Sequence, residues 1–145
     1  RRMKFKTTGF VILFSFFSML FFINGSASTT GIQWHSYDDG MARSKFEKKK
    51  VFIHFTADWC YYCGVMEKET FKDPVIIVSL NENFISIKVD FDKETTTSSH
   101  YGVRGLPDTI FIAENGSSIG RRPGYIPPDV MKLILKTILE ERSRD

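Results

Sequence analysis

Cys60 and Cys63 are the only two cysteines of this 145-residue sequence. They follow residues 51–55, whose β-branched and aromatic side chains predict a buried strand, and the residues after them favour a helix. At the start of a helix, free N–H groups and the helix dipole favour a thiolate, the attacking species in disulfide exchange. The spacing therefore predicts Cys60 as the nucleophile and Cys63, one turn later, as the resolving thiol.

Other uses of such a pair find less support in the sequence. A zinc site needs further ligands at suitable spacing, and His35, His54 and His100 are scattered along the chain. A c-type haem site needs a histidine directly after the second cysteine, where Gly64 stands. A purely structural disulfide stays open as an alternative, although such short loops are seldom used to stabilise a fold. We therefore expect no metal and no cofactor besides the redox-active disulfide.

The rest of the sequence predicts alternating strands and helices. Strands are expected at residues 32–34, 84–89, 109–113 and from 119 onward, and helices at 36–49, after Cys63, at 73–80 and from 127 onward, with a polar loop or short helix at 93–99. Helical crossovers favour parallel pairing, while Asn115-Gly116 is a strong hairpin signal. The predicted class is α/β, with a central mixed sheet flanked by helices on both faces.

Two motifs in this order resemble the thioredoxin superfamily. Ala57-Asp58-Trp59-Cys60-x-x-Cys63 resembles the family's active-site segment, and residues 101–107 (YGVRGLP) resemble the segment that carries its cis-proline. The resemblance covers nearly all of residues 32–142, which implies a thioredoxin-like fold. Residues 66–71 are similar to the branch of small exported thioredoxin-like proteins that includes the C-terminal domain of the electron-transfer protein DsbD.

The resemblance implies roles for the residues around the cysteine pair. Pro107 is expected to be cis and to pack against the pair, leaving backbone groups free to pair with a substrate strand. Trp59 is expected to cover the site, and the two rings between the cysteines to form an apolar rim for docking partners. The expected substrate-binding positions are Tyr61, Tyr62, Leu106 and Gly124.

Several positions depart from the family pattern. His54 stands six residues before Cys60, where the family carries a buried acid that moves protons to and from the resolving cysteine. A neutral imidazole suits that role near pH 7, and a buried, hydrogen-bonded core histidine is the alternative. Lys88 matches the lysine that accompanies the acid, so that pairing is lost. Asp108 stands where threonine is usual, and we expect it either to raise the pKa of Cys60 or to be an ordinary solvated acid.

Residues 1–28 differ from the rest of the chain. Four basic residues within the first six precede an apolar run at residues 10–23, followed by small and polar residues. This order predicts a secretory signal peptide. The run is shorter than the roughly 20 residues of a spanning helix, and an uncleaved anchor through residues 9–27 is the alternative. Without this segment Lys+Arg falls from 20 to 16 against 17 Asp+Glu, so the charge gives no reason to expect a nucleic-acid partner.

Residues 29–145 are thus predicted to form one monomeric domain in the bacterial periplasm or on the outer face of the cytoplasmic membrane. The favoured function is thiol–disulfide exchange that reduces disulfides of protein substrates. The resemblance implies a membrane electron donor of the DsbD type. The Tyr-Tyr dipeptide matches neither the Gly-Pro of reducing members nor the Pro-His of strong oxidants. A disulfide oxidase or isomerase, and a non-catalytic binding module, are therefore the alternatives.

Overall fold

The computed structural model describes residues 30–141, and the predicted signal peptide or anchor lies outside them. Within the described range, five strands form one sheet in the order β1-β3-β2-β4-β5. The strands are β1 (Trp34–His35), β2 (Lys50–Thr56), β3 (Phe84–Asp90), β4 (Asp108–Ile112) and β5 (Ser118–Pro123). The helices are α1 (Tyr37–Glu47), α2 (Tyr61–Lys68), α3 (Pro74–Asn83), α4 (Thr95–His100) and α5 (Pro128–Glu141), with a 3-10 turn at Thr70–Lys72.

Strand β2 lies at the centre of the sheet and runs directly into the cysteine pair. It is parallel to β3 and antiparallel to β4, which in turn is antiparallel to β5. The predicted turn joins β4 to β5, and Gly116 takes φ +85°, a left-handed conformation that glycine adopts without steric cost. This arrangement confirms the predicted α/β class with a mixed central sheet.

The alternation of side chains along β2 divides the core into two layers. Phe52 packs with apolar residues of α2, α3 and α5 on one face of the sheet. Val51, Ile53 and Phe55 pack on the other face, where Tyr37 and Met41 of α1 cover them. Helices therefore lie on both faces, as predicted, and the buried sheet between them forms a rigid base for the residues at the end of β2.

Several element boundaries differ from the prediction, most of them by one to three residues. Lys48 takes φ 52° and ends α1 before residue 49, and β1 covers Trp34–His35 rather than residues 32–34. Lys50 begins β2 with only 6% of its surface exposed, and its Nζ donates to Glu114 at 2.7 Å. The three successive lysines suit a helix end, but the burial of Lys50 depends on a partner 64 residues away. The loop or short helix predicted at residues 93–99 contains a short helix, α4, which spans Thr95–His100.

Candidate active site

Cys60 and Cys63 form a disulfide at the junction of β2 and α2. Cys60 is the N-cap residue of α2, and its Sγ accepts a hydrogen bond from the backbone N–H of Cys63 at 3.2 Å. Cys60 is 7% exposed and Cys63 1% exposed. The cysteine at the helix N-terminus is therefore also the more exposed residue of the pair, which is the arrangement expected of an attacking thiolate.

The aromatic residues around the disulfide are exposed. The exposed fractions are 66% for Trp59, 77% for Tyr61 and 56% for Tyr62. The indole N–H of Trp59 donates at 2.7 Å to Asp92, which lies in the turn between β3 and α4. Large exposed rings beside a redox centre form an apolar surface suited to a protein partner.

Tyr125 extends this aromatic surface, and it belongs to no motif that the sequence makes visible. The rings of Tyr62 and Tyr125 lie 6.1 Å apart between centroids, and the rings of Tyr61 and Tyr62 lie 5.3 Å apart. The hydroxyl of Tyr125 donates to the carboxylate of Glu69 at 2.6 Å. That hydrogen bond raises the pKa of the Tyr125 phenol, so the hydroxyl stays protonated.

The segment that ends at Pro107 lies beside the disulfide. The Leu106–Pro107 peptide bond is cis, and Pro107 is buried. Leu106 packs against the cluster formed by Ala57 and the two cysteines. The backbone N–H of Gly124, which takes φ +89°, donates to the carbonyl oxygen of Pro107 at 2.7 Å. The structure therefore brings Leu106, Pro107 and Gly124 to the site, as their assignment requires.

The expectation that Asp108 is an ordinary solvated acid is wrong. Asp108 is 1% exposed, because β4 lies between β2 and β5 and the residue pairs with Phe55 and Pro123. Its carboxylate accepts hydrogen bonds from Arg121, including one from Nε at 2.9 Å, and these raise the pKa of Arg121. The negative charge beside Pro107 is therefore neutralised, and its effect on the pKa of Cys60 stays a prediction.

His54 is fully buried on the same face of the sheet as Phe52. Its ring lies edge-on to Phe71 at 4.9 Å between centroids, and neither ring nitrogen has a hydrogen-bond partner among the described residues. The burial that the alternative expected is present, whereas its hydrogen bonds are not formed among the described residues. Burial, with the charge of Lys88 as a second cause, lowers the pKa of His54 to about 3. Its role in proton transfer stays a prediction.

Lys88 has a partner other than the residue opposite it. It pairs in register with His54, but its Nζ donates to Glu67 of α2 at 2.5 Å and lies 4.5 Å from the centroid of the Trp34 ring. In the family pattern this lysine pairs with a buried acid at position 54. Here Lys88 instead forms its ion pair with Glu67 of α2, the helix that carries Cys63. His54 consequently lies opposite the Lys88 cation, and the negative charge that pairs with Lys88 is that of Glu67.

Comparison with known proteins identifies the family. The model of the "Thioredoxin-like domain" family matches residues 37–139, from α1 to α5. This chain belongs to the thioredoxin-like domain family. Its Cys60–Cys63 pair is the Cys-x-x-Cys of a thioredoxin-like oxidoreductase.

The chain is also similar to individual relatives. It is 36% identical over 75 residues to the thiol:disulfide interchange protein DsbD of Haemophilus ducreyi, covering 49% of this chain and 13% of that protein. It is 25% identical over 112 residues to the disulfide bond reductase DsbH of Chlamydia pneumoniae, covering 69% of this chain and 67% of that one. A thioredoxin from Thermus thermophilus superposes with a TM-score of 0.68 at 23% identity, over 74% of this chain and 87% of that one.

The longer relatives contain much more than this domain. The chain spans 13% of the length of that DsbD and 14% of an uncharacterised Caenorhabditis elegans protein. In the part of the chain that the structure describes, no helix is long and apolar enough to cross a bilayer.

Proposed function

We propose that this protein is an exported thiol–disulfide oxidoreductase that reduces disulfides in other proteins. The observation that carries the proposal is the position of Cys60. Its sulfur caps α2 by accepting a hydrogen bond from the N–H of Cys63, and Cys60 is the more exposed residue of the pair. Both features favour attack by the Cys60 thiolate on a disulfide that arrives from outside.

The proposed reaction starts from the reduced dithiol. The Cys60 thiolate attacks one sulfur of a substrate disulfide, forms a mixed disulfide and releases the other substrate sulfur as a thiolate. Cys63, deprotonated in this step, then attacks the sulfur of Cys60 and releases the second substrate thiol. The substrate gains two electrons and two protons, and the protein is left with the Cys60–Cys63 disulfide. A dithiol donor must return the same two electrons and two protons.

His54 enters this cycle as a neutral group. With a pKa lowered to about 3 by burial and by Lys88, the imidazole is uncharged at the pH of the bacterial periplasm. A neutral imidazole has one nitrogen that accepts and one that donates, so it suits transient proton exchange with the thiol of Cys63. The same low pKa makes it a weak base. It therefore does not hold a proton between turnovers, and in the oxidised protein neither ring nitrogen is hydrogen-bonded to Cys63.

The direction of electron flow is proposed from similarity. The chain resembles a disulfide bond reductase and the interchange protein DsbD. A reductase outside the cytoplasm needs electrons from inside, so we propose a membrane dithiol donor of the DsbD type. The basic and apolar residues 1–28 support export, either as a cleaved signal peptide or as an anchor through residues 9–27.

The redox potential of the Cys60–Cys63 pair tests the direction. The purified protein is equilibrated with dithiothreitol mixtures, and the fraction of free thiol is measured. A value near the roughly −270 mV of reducing thioredoxins supports the reductase, and a value near −120 mV contradicts it in favour of an oxidase. Turnover of insulin with dithiothreitol as donor tests catalysis itself. A protein that shows no turnover is the non-catalytic binding module instead.

Export is tested with the full chain expressed in a bacterium. A periplasmic product whose mass begins after residue 27 or 28 supports a cleaved signal peptide, and a membrane-bound product that retains residues 1–28 supports an anchor. A product found only in the cytoplasmic fraction contradicts export.

A further inference from the structure

Arg121 connects both ends of the segment at residues 101–107 to strand β5. Its Nη1 donates to the carbonyl oxygen of Tyr101 at 2.9 Å, and its Nη2 donates to that of Gly102 at 3.2 Å. Its Nε donates to Asp108 at 2.9 Å, and Nη2 contacts the same carboxylate. One guanidinium group therefore bridges the start of the segment and the residue directly after Pro107.

The requirements of Asp108 explain why this group is an arginine. A buried carboxylate is unstable without a partner, and Asp108 is 1% exposed. A guanidinium presents its N–H groups in a planar fork, so it pairs with a carboxylate and still has donors for two carbonyl oxygens. The side chain of Arg121 is 37% exposed and reaches in from the outer strand of the sheet. A lysine ammonium provides the charge but not this geometry.

The segment that Arg121 holds carries Leu106 to the disulfide. Arg104 and Gly105 are exposed, whereas Leu106 packs against the cluster formed by Ala57 and the two cysteines. The position of Leu106 thus depends on how firmly the two ends of the exposed stretch are held. At the far end the N–H of Gly124 also binds the Pro107 carbonyl, so β5 and the residues after it supply the restraints on that side.

We propose that Arg121 is a positioning residue for protein substrates. Through Asp108 and the carbonyl groups of Tyr101 and Gly102, it holds the backbone at Leu106 where a disulfide-bearing polypeptide docks next to Cys60. This inference rests on the proposed function, since it assigns a role in binding the substrates of that reaction. Arg121 acts through the segment, and the exchange of electrons proceeds between the sulfurs alone.

Arg121→Lys is the variant that tests the role. It keeps a cation for Asp108, so the fold is retained, but it cannot span the carboxylate and both carbonyl groups. Arg122→Lys is the matched control, because the neighbouring side chain points to the opposite face of β5. Two disulfide substrates are compared: insulin, which docks as a polypeptide, and hydroxyethyl disulfide, which has no peptide backbone to pair.

For Arg121→Lys we expect kcat/KM on insulin to fall about tenfold, mainly through KM, because a docking surface has lost its alignment. Turnover of hydroxyethyl disulfide is expected to stay within twofold of the wild type, and the redox potential is expected to be unchanged. The same results are expected for Arg122→Lys on both measurements. Equal losses on both substrates, or no difference between Arg121→Lys and Arg122→Lys, would overturn the inference.

Amide hydrogen exchange separates this inference from the proposed function. In Arg121→Lys the amides of Gly102 and Val103, which donate to the carbonyl oxygens of Ser99 and Ser98, are expected to exchange at least about tenfold faster than in Arg122→Lys, whether or not the protein reduces insulin. If the wild type has no insulin activity, the proposed function fails while exchange still tests the restraint. If the wild type is active and exchange is unchanged, the role of Arg121 is refuted alone.

Discussion

The buried, uncharged His54 makes a specific prediction about stability and pH. Both ring nitrogens lack hydrogen-bond partners among the described residues, and burial together with Lys88 lowers the pKa in the folded protein to about 3. In the unfolded chain the pKa is about 6.5. The unfolded state therefore takes up a proton first as the pH falls. Above pH 6.5 the ring is neutral in both states. Between pH 6.5 and about pH 3 the free energy of unfolding falls as the pH is lowered.

The magnitude follows from the two pKa values. Each pH unit between them changes the free energy of unfolding by up to about 1.4 kcal/mol. From pH 7 to pH 5 the histidine alone is expected to lower the free energy of unfolding by about 2 kcal/mol. This is less than the maximum for two pH units, because the unfolded ring is only partly protonated near pH 6.5. His54→Leu keeps a similar volume and removes the titrating group. At pH 7 we expect this variant to be as stable as the wild type or more so, since a buried polar group without partners is unfavourable.

The assay is urea unfolding of the oxidised proteins between pH 5 and pH 7, with the two free energies subtracted at each pH. His35, His100 and the carboxylates are common to both proteins, so their effects cancel in the difference. The difference is expected to shift by about 2 kcal/mol in favour of His54→Leu over this range. Parallel curves, within about 0.5 kcal/mol, would refute the assignment of His54 as neutral and fully buried.

Three further predictions concern packing, capping and docking. Gly40→Ala places a Cβ 2.4 Å from Cγ1 of Ile87 and is expected to lower the free energy of urea unfolding by about 1–3 kcal/mol, despite the better helix propensity of alanine. Asp73→Ala removes the side chain that caps α3 and is expected to cost about 1 kcal/mol in the same assay. Tyr125→Ala is expected to raise the KM for insulin about fivefold, because it removes a ring partner of Tyr62, whereas Tyr125→Phe keeps the ring and stays near the wild type. The first two predictions would be contradicted if Gly40→Ala or Asp73→Ala had the same free energy of unfolding as the wild type. The third would be contradicted by equal KM values for the two Tyr125 variants.

Features that depend on neighbouring residues are predictable from this sequence. The strand before Cys60, the cap formed by Asp73-Pro74 and the turn at Asn115-Gly116 each depend on a few adjacent residue types. The structure forms all three where expected, with Asp73 accepting hydrogen bonds from the first amides of α3. The cysteine pair is predictable for the same reason, because its redox chemistry follows from the spacing of the two cysteines and from their position directly after a strand.

Features that depend on distant partners are not predictable in this way. Asp108 and Arg121 are 13 residues apart, Lys88 and Glu67 are 21 apart, and both pairs form only because the sheet order brings their elements together. An acid after Pro107 looks solvent-exposed until β4 is known to lie between two other strands. Tyr125 likewise joins the aromatic surface through its ring contact with Tyr62, which depends on the fold and is not predicted by any sequence motif.

The central claim, that Cys60 attacks and Cys63 resolves, is tested most directly by trapping mixed disulfides. Reduced Cys63→Ser and Cys60→Ser proteins are each mixed with a substrate disulfide, and the covalent adducts are counted by mass spectrometry under non-reducing conditions. Cys60 caps the helix and is the more exposed of the two cysteines, so we predict that Cys63→Ser accumulates the adduct on Cys60 and that Cys60→Ser forms little. Equal trapping by both variants, or trapping by Cys60→Ser alone, would contradict the account.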